Sequence, residues 1–382
     1  MKIDEFQVEI WMNAYENDCG YNLAETCVRS LTTGELLELS GRRDEILAEM
    51  EATPLTYGPI PGSDRLRALI AGLYEHQSPE NVTVTHGAIG ANALIHQTLI
   101  EPGDHVISVL PTYQQHYAIP ASFGADVDVL LLRERDGWLP DLDELRAMLR
   151  PTTKLIAVNN PNNPTGSLMS ESMLEEIAAM AGSVGAWVLS DEVYRGIDQE
   201  GDGFTASMAD LYDRGISTGS MSKPFSLAGL RLGWIVGPRE IIDAVSIHRD
   251  YNTISVGRID DLLASVALEQ RDAILARARD ITRRNLALVD GWVNGRNDVS
   301  YIRPASGTTA LIRYTAPIPS YEFCIRLLEQ TGVMLTPGAA FDIEGTFRIG
   351  FADDTEALRE GLSLVGEFLD ALRGGTHRQR LA

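Results

Sequence analysis

The sequence predicts an α/β fold: a large domain with a mostly parallel sheet covered by helices, joined to a smaller α+β domain. Three observations lead to this prediction. With 382 residues, the chain is too long for one ordinary hydrophobic core. Through its middle, short apolar runs alternate with longer stretches of helical periodicity, which is typical of a parallel sheet covered on both faces. After about residue 285 this alternation stops.

Strands are predicted where short apolar runs end at Gly, Pro, Asn or Asp: NVTVTHG, HVISVLP, DVDVLLLR, KLIAVNNP, AWVLSDEVY, GISTGSMS and LGWIVG. Helices are predicted where apolar residues recur three and four positions apart: AIGANALIHQTLI, DLDELRAMLR, SESMLEEIAAMAGSVG and DDLLASVALEQRDAILARARDITRRNLALVDGWV. The alternation of the two kinds of segment predicts the large domain, over residues 46–285.

The end of the chain is predicted to form the smaller domain. Two strand-like segments, TTALIRYTA and TFRIGFA, are flanked there by helical segments at SYEFCIRLLEQTG and TEALREGLSLVGEFLDALR. We therefore predict a small C-terminal α+β domain over residues 286–382. Residues 1–45 are predicted to be an N-terminal segment that joins this small domain.

Charge and cysteine content exclude several classes of function. The formal net charge of −22 argues against nucleic acid and anionic membrane surfaces as partners. No apolar run approaches the roughly 18 residues of a membrane span, and the histidines lack metal-ligand spacing, so neither membrane insertion nor a metal site is expected. Cys19, Cys27 and Cys324 form no CxxC pair, and the charged N-terminus is unlike a signal peptide. A reduced, cytoplasmic protein is therefore expected.

Polar residues follow several predicted strands, at the edge where parallel α/β sheets bind ligands. Gly87 forms a tight turn that opens a helix, either as a simple turn residue or as part of an anion site. Asn163 in NNPNNPTG is either loop punctuation or an amide that bonds a phenolic oxygen on a bound ring. Asp191 ends a buried strand, where a carboxylate is costly unless it meets a cation such as a protonated pyridine nitrogen.

Lys223 lies in the segment STGSMSKPFSLAGLRLGW, among serines and glycines and between apolar stretches. An arbitrary lysine of this kind is most often a surface residue. The alternative is an amine that forms a Schiff base with an aldehyde cofactor. Ser220, Ser222 and Arg231 in the same segment are suited to a phosphate, and together with Asp191 they favour the second interpretation.

Four segments taken together, SMSKPFSLAGLRLGW, NNPNNPTG, SDEVYRG and FRIGF, resemble the fold-type I pyridoxal-phosphate enzymes, and specifically the class I and II aminotransferase family. The similarity extends from Tyr57 to Arg348 in the family's order and spacing. It implies an aspartate-aminotransferase-like fold and pyridoxal 5'-phosphate as the cofactor. It also implies a homodimeric aminotransferase that moves an amino group between an amino acid and a 2-oxo acid.

The resemblance further implies which residues hold the cofactor. Lys223 forms the Schiff base, Asp191 pairs with the pyridine nitrogen, and Tyr113 stacks on the ring. Asn163 and Tyr194 contact the ring hydroxyl. The phosphate is surrounded by residues of two segments and is reached by a tyrosine from the neighbouring subunit: His86, Gly87, Ala88, Ser220, Ser222, Arg231 and, across the interface, Tyr57.

Substrate residues are implied in the same way. Arg348 binds the α-carboxylate of the substrate, and Asn163 lies beside it. The family carries a glycine-containing L–G–P stretch near its N-terminus, whereas this chain has YNLAETCVRSLTTGEL, with Glu25 where a small residue is expected. Glu25 is either a solvated carboxylate at a helix start or a carboxylate that meets a cationic group on the substrate.

Other segments favour a different reaction. TTGELLEL, HRDYNTISVG and SGTTALIRY, together with FRIGF, resemble capreomycidine synthases and the related arginine-oxidising enzymes, subgroups of the fold that act on guanidino amino acids without transamination. A cyclase, lyase or oxidase of an arginine-like amino acid is therefore the alternative to an aminotransferase. A non-catalytic relative is disfavoured, because Lys223 is present and no DNA-binding domain precedes the α/β core.

Overall fold

The computed structural model describes residues 2–201 and 203–379. Its strands are β1 (Tyr21–Asn22), β2 (Val82–Thr85), β3 (His105–Leu110), β4 (Asp126–Leu131), β5 (Thr153–Asn159), β6 (Trp187–Asp191), β7 (Gly215–Ser220), β8 (Gly233–Val236), β9 (Val299–Tyr301), β10 (Thr309–Tyr314), β11 (Val333–Met334), β12 (Thr336–Pro337) and β13 (Thr346–Gly350). Its helices are α1 (Gln7–Tyr15), α2 (Thr33–Ser40), α3 (Arg43–Ala52), α4 (Asp64–Ala71), α5 (Gly87–Leu99), α6 (Gln115–Ser122), α7 (Leu142–Met148), α8 (Glu171–Val184), α9 (Met208–Leu211), α10 (Arg239–Arg249), α11 (Arg258–Glu269), α12 (Arg271–Asn294), α13 (Ser320–Thr331) and α14 (Thr355–Gln379). Within the described ranges, no helix combines the length and the apolar character needed to cross a membrane.

The large sheet has seven strands in the order β2-β8-β7-β6-β5-β3-β4. The strands β3 to β7 run parallel to one another, whereas β8 is antiparallel to both β2 and β7. Each of the seven strands lies within a segment that the sequence predicts, apart from single residues at the ends. The prediction of a mostly parallel sheet is confirmed, and the antiparallel β8 refines it.

Helices cover both faces of this sheet. Successive side chains of a strand point to opposite faces, so Val106 and Ile107 enter different apolar clusters. Val106 packs with residues of α5 and α10, and Ile107 packs with residues of α8. Because neither face of the central strands meets water, β3, β5 and β6 are buried at almost every position and most of their residues are apolar, which makes them visible in the sequence.

A second sheet of four strands, in the order β12-β13-β10-β9, is antiparallel throughout. Its apolar residues form one cluster with α13, α14 and the end of α12. In that cluster the rings of Phe323 and Phe347 stack with their centroids 5.5 Å apart. This is the smaller α+β unit that the sequence predicts, so the fold class is confirmed.

The N-terminal segment packs on the small sheet. β1 pairs in parallel with β11, with Tyr21 opposite Val333, and Trp11 and Leu23 belong to the small sheet's apolar cluster. The next helices, α2 to α4, pack instead with α11. The limits proposed near residues 45 and 285 fall inside α3 and α12, and the exact domain boundaries stay a prediction.

One predicted helix is two helices in the structure. The segment that begins at DDLLAS is interrupted at Gln270, whose φ of −105° and ψ of 18° lie outside the helical range. α11 then packs against α4, and α12 packs against α14. Both helices bury an apolar face, so the apolar periodicity continues through the bend and hides it in the sequence.

Candidate active site

A cavity of about 280 Å³ opens at the carboxyl ends of β5, β6 and β7. Most of the predicted site residues line it: Glu25, Gly87, Ala88, Tyr113, Asn163, Asp191, Tyr194, Ser220, Ser222, Lys223, Arg231 and Arg348. The fold therefore brings together residues that are spread over most of the chain. What each of them does stays a prediction.

Two of the predicted residues do not line the cavity. His86 precedes α5 and is exposed. Tyr57 lies in the loop between α3 and α4 and is 76% exposed. The cavity of this chain is thus formed without either side chain, and Tyr57 is free to meet another subunit.

The start of α5 and the loop after β7 form an anion cradle. Gly87 has a φ of 68°, and a Cβ at that position would lie 3.2 Å from Nη2 of Arg231. Gly233 packs so closely on this turn that its own Cβ would lie 2.3 Å from the carbonyl carbon of Gly87. Gly87 and Ala88 at the start of α5 line the cavity together with Ser220, Ser222 and Arg231. This donor set is suited to a phosphate.

Asp191 ends β6 as a buried carboxylate held by hydrogen-bond donors. Its Oδ2 accepts a hydrogen bond from Nδ2 of Asn92 at 2.8 Å, and its Oδ1 accepts one from the backbone N–H of Val193 at 3.1 Å. The hydroxyl of Thr218 donates to Oδ1 of Asn92 at 2.8 Å, which fixes the orientation of the amide. A buried carboxylate at a cavity wall is suited to a cationic N–H of a ligand.

Two buried histidines lie behind Asp191. Nε2 of His116 is 3.3 Å from Oδ2 of Asp191, and the ring centroids of His96 and His116 are 5.8 Å apart. Neither nitrogen of His96 has a hydrogen-bond partner in the part of the chain that the structure describes. Burial, reinforced by the nearby His116, holds the pKa of His96 well below its usual value, so this ring is neutral.

Arg348 on β13 is a buried cation, 3% exposed. Its Nη1 donates to Oδ1 of Asn163 at 3.1 Å, and its Nη2 donates to the carbonyl oxygen of Ala24 and to Oγ1 of Thr336. Nε has no partner among the described atoms. Burial lowers the pKa of Arg348, and a carboxylate ligand would offset that desolvation.

The amine of Lys223 reaches into the cavity from the loop after β7. Nζ donates to Oγ1 of Thr26 at 2.6 Å and to Sγ of Cys27 at 3.4 Å. Burial lowers the pKa of this amine, but its interactions with Cys27, Tyr194 and Glu25 outweigh that effect, so the pKa is raised. Burial also raises the pKa of the Cys27 thiol, which keeps it protonated at neutral pH.

Glu25 lies in the loop after β1 and not at a helix start, since α2 begins at Thr33. Its Oε1 accepts hydrogen bonds from the backbone N–H groups of Thr26 and Cys27, at 2.6 and 2.7 Å. Burial raises the pKa of Glu25, but the Lys223 amine and these hydrogen bonds outweigh it, so the pKa is lowered. Glu25 is therefore an ionised carboxylate of the cavity wall. Its predicted contact with a cationic substrate group stays a prediction.

Helix α1 closes one side of the cavity. Val8, Glu9, Met12 and Glu16 recur at helical spacing and line it. The hydroxyl of Tyr113 donates to Oε1 of Glu9 at 2.6 Å. Burial, together with the charge of Glu9, raises the pKa of Tyr113 and keeps the phenol protonated.

Several residues of the cavity wall are not predicted from the sequence, among them Glu9, Glu16, Thr26, Cys27 and Asn92. For Asn92 a signal existed, because it lies three residues before Ile95 on the apolar face of a predicted helix. An amide on such a face needs partners. The residues of α1 gave no such signal, because no helix was predicted over them.

Residues 28–363 match the model of the family "Aminotransferase class I and II". The chain belongs to this family. Over 373 residues it is 31% identical to capreomycidine synthase of Streptomyces vinaceus, a match that covers 97% of this chain and 94% of that protein. The predicted family is thereby confirmed.

Solved structures are similar to this aminotransferase-family chain over nearly its whole length. A pyridoxal-phosphate-dependent aminotransferase from Streptococcus suis has a TM-score of 0.94 and 44% identity, covering 97% of this chain and 99% of that one. The pyridoxal-phosphate-dependent cyclase OrfR has a TM-score of 0.89 and 29% identity, covering 97% of this chain and 98% of that one. Aspartate aminotransferase from Thermus thermophilus has a TM-score of 0.85 and 26% identity, covering 96% of this chain and 97% of that one. The aspartate-aminotransferase-like fold and the pyridoxal 5'-phosphate cofactor are confirmed.

Proposed function

We propose that this family member is an aminotransferase that moves an amino group between an amino acid and a 2-oxo acid, with Lys223 as the amine that carries the cofactor. The observation that supports it most directly is that Nζ of Lys223, the carboxylate of Asp191 and the anion cradle of α5 line one cavity. Pyridoxal 5'-phosphate has the three matching groups: an aldehyde, a pyridine nitrogen and a phosphate.

The cavity fits the phosphate end of the cofactor. A side chain at Gly87 would enter the space beside Arg231, and the absence of one leaves a concave cradle. The N–H groups of Gly87 and Ala88, with Ser220 and Ser222, would donate to the phosphate oxygens, and Arg231 would neutralise their charge.

The ring end fits as well. Asp191 would hold a proton on the pyridine nitrogen, because its carboxylate is buried and kept in place by Asn92. Asn163 and Tyr194 would contact the ring hydroxyl, and Tyr113 would lie against the ring. All four side chains line the cavity.

When bound, the cofactor supplies an electron sink for the α-carbon of the amino acid. The chain's own groups must then move a proton at that carbon, and Lys223 is the amine of the cavity that can do so. The Thr26 hydroxyl, 2.6 Å from Nζ, would keep the amine in reach while it acts as acid and base. Tyr194 adds a hydroxyl to the same wall.

Arg348 would bind the α-carboxylate of the substrate. Its position is set by Asn163, Thr336 and the carbonyl of Ala24, and its unpartnered Nε leaves a donor for the ligand. A guanidinium so well shielded from water binds a carboxylate more strongly than one at the surface. Fixing the carboxylate would in turn orient the α-proton toward Lys223.

We further propose a cytoplasmic homodimer with shared active sites. Leu55 and Tyr57, in one loop, are 88% and 76% exposed, which is unusual for large apolar side chains in a monomer. A partner subunit that covers this loop would bring Tyr57 to the phosphate of its own site. The cytoplasmic location rests on the three cysteines, which are all free.

The second candidate function is a cyclase, lyase or oxidase that acts on an arginine-like amino acid without transamination. It is supported by the similarity to capreomycidine synthase and to the cyclase OrfR. Both candidates need the same lysine and the same cofactor. They differ in whether a 2-oxo acid acceptor is consumed.

Borohydride reduction of the purified protein tests the cofactor assignment. We expect a yellow protein whose cofactor becomes fixed to Lys223, as read by peptide mass spectrometry. Lys223→Ala should yield no fixed cofactor, whereas Lys154→Arg, a change in β5 away from the cavity wall, should leave the label unchanged. A label on another lysine contradicts the assignment.

Product stoichiometry separates the two candidates. An aminotransferase should form one 2-oxo acid for each acceptor converted, and should stop when pyruvate or another acceptor is withheld. Sustained turnover of arginine without any acceptor, with a cyclic, deaminated or oxidised product, would favour the second candidate.

A further inference from the structure

Two carboxylates of α1 and its end, Glu9 and Glu16, line the cavity and belong to none of the sequence motifs. They are two helical turns apart, so their backbones lie about 10 Å apart along the helix axis. Val8 and Met12 line the cavity between and beside them. We call Glu9 and Glu16 the acidic face of α1.

The cavity wall carries more acidic than basic side chains. The carboxylates are Glu9, Glu16, Glu25 and Asp191, and the cations are Lys223, Arg231 and Arg348. In the proposed function the ring nitrogen faces Asp191, the phosphate faces Arg231, and the substrate carboxylate faces Arg348. Glu25 lies beside Lys223. Glu9 lies within electrostatic range of Arg348, but among the described residues of the wall no cation forms an ion pair with Glu9 or Glu16.

The contacts of the three glutamates support this assignment of charged side chains to the parts of the ligand. Oε1 of Glu25 already accepts two backbone N–H groups. Glu9 accepts a hydrogen bond from the Tyr113 hydroxyl, a neutral donor. The carboxylate of Glu16 has no hydrogen bond or ion pair with any residue that the structure describes, although Glu16 is only partly exposed. A cation that enters the cavity would therefore find its counter-charge on α1.

A second observation marks the other end of the ligand. Arg348 is 3% exposed and lines the same cavity, and its Nε lacks a partner among the described atoms. An amino acid held there by its α-carboxylate, with its α-nitrogen toward Lys223, has the cofactor on the sheet side. The part of the wall that the cofactor and the α-carboxylate do not use includes the loop at residues 24–27 and α1, which are thus available to its side chain.

We propose that the substrate is an amino acid with a cationic side chain and that Glu9 and Glu16 bind this cation. The inference rests on the proposed function, because it places the substrate in the same cavity. A guanidinium or ammonium group forms charge-assisted hydrogen bonds with these carboxylates, and the cavity walls reduce screening by water. A neutral side chain of equal shape leaves both carboxylates desolvated and without a counter-charge.

Arginine and citrulline provide the sharpest comparison, since they have the same length and planar ends and differ in charge. Calorimetry on the borohydride-reduced holoenzyme measures their binding without turnover. L-arginine is expected to bind at least about tenfold more tightly than L-citrulline, the effect of one hydrogen bond between charged groups.

Variants locate the source of this preference. Glu16→Gln and Glu9→Gln each remove one charge and keep the shape of the side chain, and Glu9→Gln also keeps an acceptor oxygen for Tyr113. Each variant should reduce the ratio of the affinity for arginine to the affinity for citrulline. The double variant should bring the ratio close to one. Glu5→Gln removes an exposed carboxylate of the same segment that does not line the cavity, and it should keep the wild-type ratio.

A ratio near one in the wild-type protein overturns the inference, and that measurement needs no variant. A double variant that keeps the wild-type ratio also overturns it. So does a ratio abolished by Glu25→Gln alone, which assigns cation binding to Glu25. The proposed function fails separately, if borohydride fixes the cofactor to a lysine other than Lys223. Label on Lys223 without a preference for arginine overturns only this inference.

Discussion

Nζ of Lys223 donates a hydrogen bond to Oγ1 of Thr26 at 2.6 Å, between residues 197 positions apart. Lys223 follows the last parallel strand of the large sheet, whereas Thr26 belongs to the loop that follows β1. The carbonyl oxygen of Thr26 accepts a hydrogen bond from the Thr308 hydroxyl, next to β10 of the small sheet. The lysine's amine is therefore held by a residue whose own position depends on the small domain.

This contact makes Thr26 a positioning residue for the amine. Thr26→Val keeps the shape and removes the acceptor of a hydrogen bond from a charged group, worth about 1.5–3 kcal/mol. We expect kcat to fall roughly ten- to a hundredfold, as that free energy implies, while KM and the borohydride label on Lys223 stay near wild-type. Steady-state kinetics measures kcat and KM, and peptide mapping measures the label on Lys223. Thr33→Val, an exposed threonine on α2, is the matched control.

The result that would count against this role is an unchanged kcat in Thr26→Val. A large rise in KM at constant kcat would also count against it, because it would assign the hydroxyl to substrate binding.

Asn92 is expected to support Asp191. Asn92→Ala removes the donor at 2.8 Å from Oδ2 of Asp191 and leaves the Thr218 hydroxyl without its acceptor. Leaving buried polar groups unpaired costs about 1–3 kcal/mol, so the unfolding midpoint should fall. Turnover should fall as well, because the carboxylate that faces the ring nitrogen is less firmly held. Asn92→Asp should be the more severe change, since it sets a second carboxylate against Asp191.

Thermal unfolding and steady-state turnover measure the two effects of Asn92→Ala. Wild-type values for both would show that His116 and the N–H of Val193 hold Asp191 without help from Asn92.

The sequence predicts the sheet side of the site better than the side formed by the N-terminal segment. Asp191 is visible because it is the charged last residue of a buried parallel strand, and Asn163 is visible because it belongs to the Asn-Pro loop that follows another such strand. Glu9 and Glu16 are not visible, because a short helix with exposed and half-buried residues has little apolar contrast. Which helix face meets a cavity is decided by tertiary packing, which residue spacing does not encode.

The same reasoning explains why the sequence does not predict the bend at Gln270 or the hydrogen-bond partners of Glu25. No glycine or proline marks the bend between α11 and α12, and each helix buries its own face. For Glu25 the sequence indicated an unusual carboxylate but not its partners. The hydrogen bonds from Thr26 and Cys27 come from a loop geometry that depends on contacts with Gly350 of the small sheet.

Tyr57 tests the proposed dimer. If its side chain reaches the phosphate of a neighbouring site, Tyr57→Phe should weaken cofactor retention, since one hydrogen bond contributes about 0.5–1.5 kcal/mol. The apparent Kd of the cofactor should rise roughly two- to tenfold. Sedimentation should show a dimer, and mixing Lys223→Ala with Tyr57→Ala subunits should restore part of the activity in one of the two mixed sites. A fully active monomer contradicts the shared site.

His96 gives a prediction for pH. The folded protein holds the pKa of this buried ring well below 6.5, so below that pH the unfolded chain binds a proton that the folded chain does not. Its contribution to stability is therefore fully present above pH 6.5 and is lost as the pH falls toward the folded pKa, by up to about 1.4 kcal/mol per pH unit.

His96→Leu cannot take up this proton, so its unfolding midpoint should fall less steeply than that of wild-type between pH 6.5 and 5. At pH 8 the variant should be at least as stable, because it no longer buries two ring nitrogens without partners among the described residues. The other titrating groups are present in both proteins, so the difference between the two curves reports His96 together with its interaction with His116. Parallel curves over this range would show that the folded protein takes up the proton at His96 as readily as the unfolded chain does.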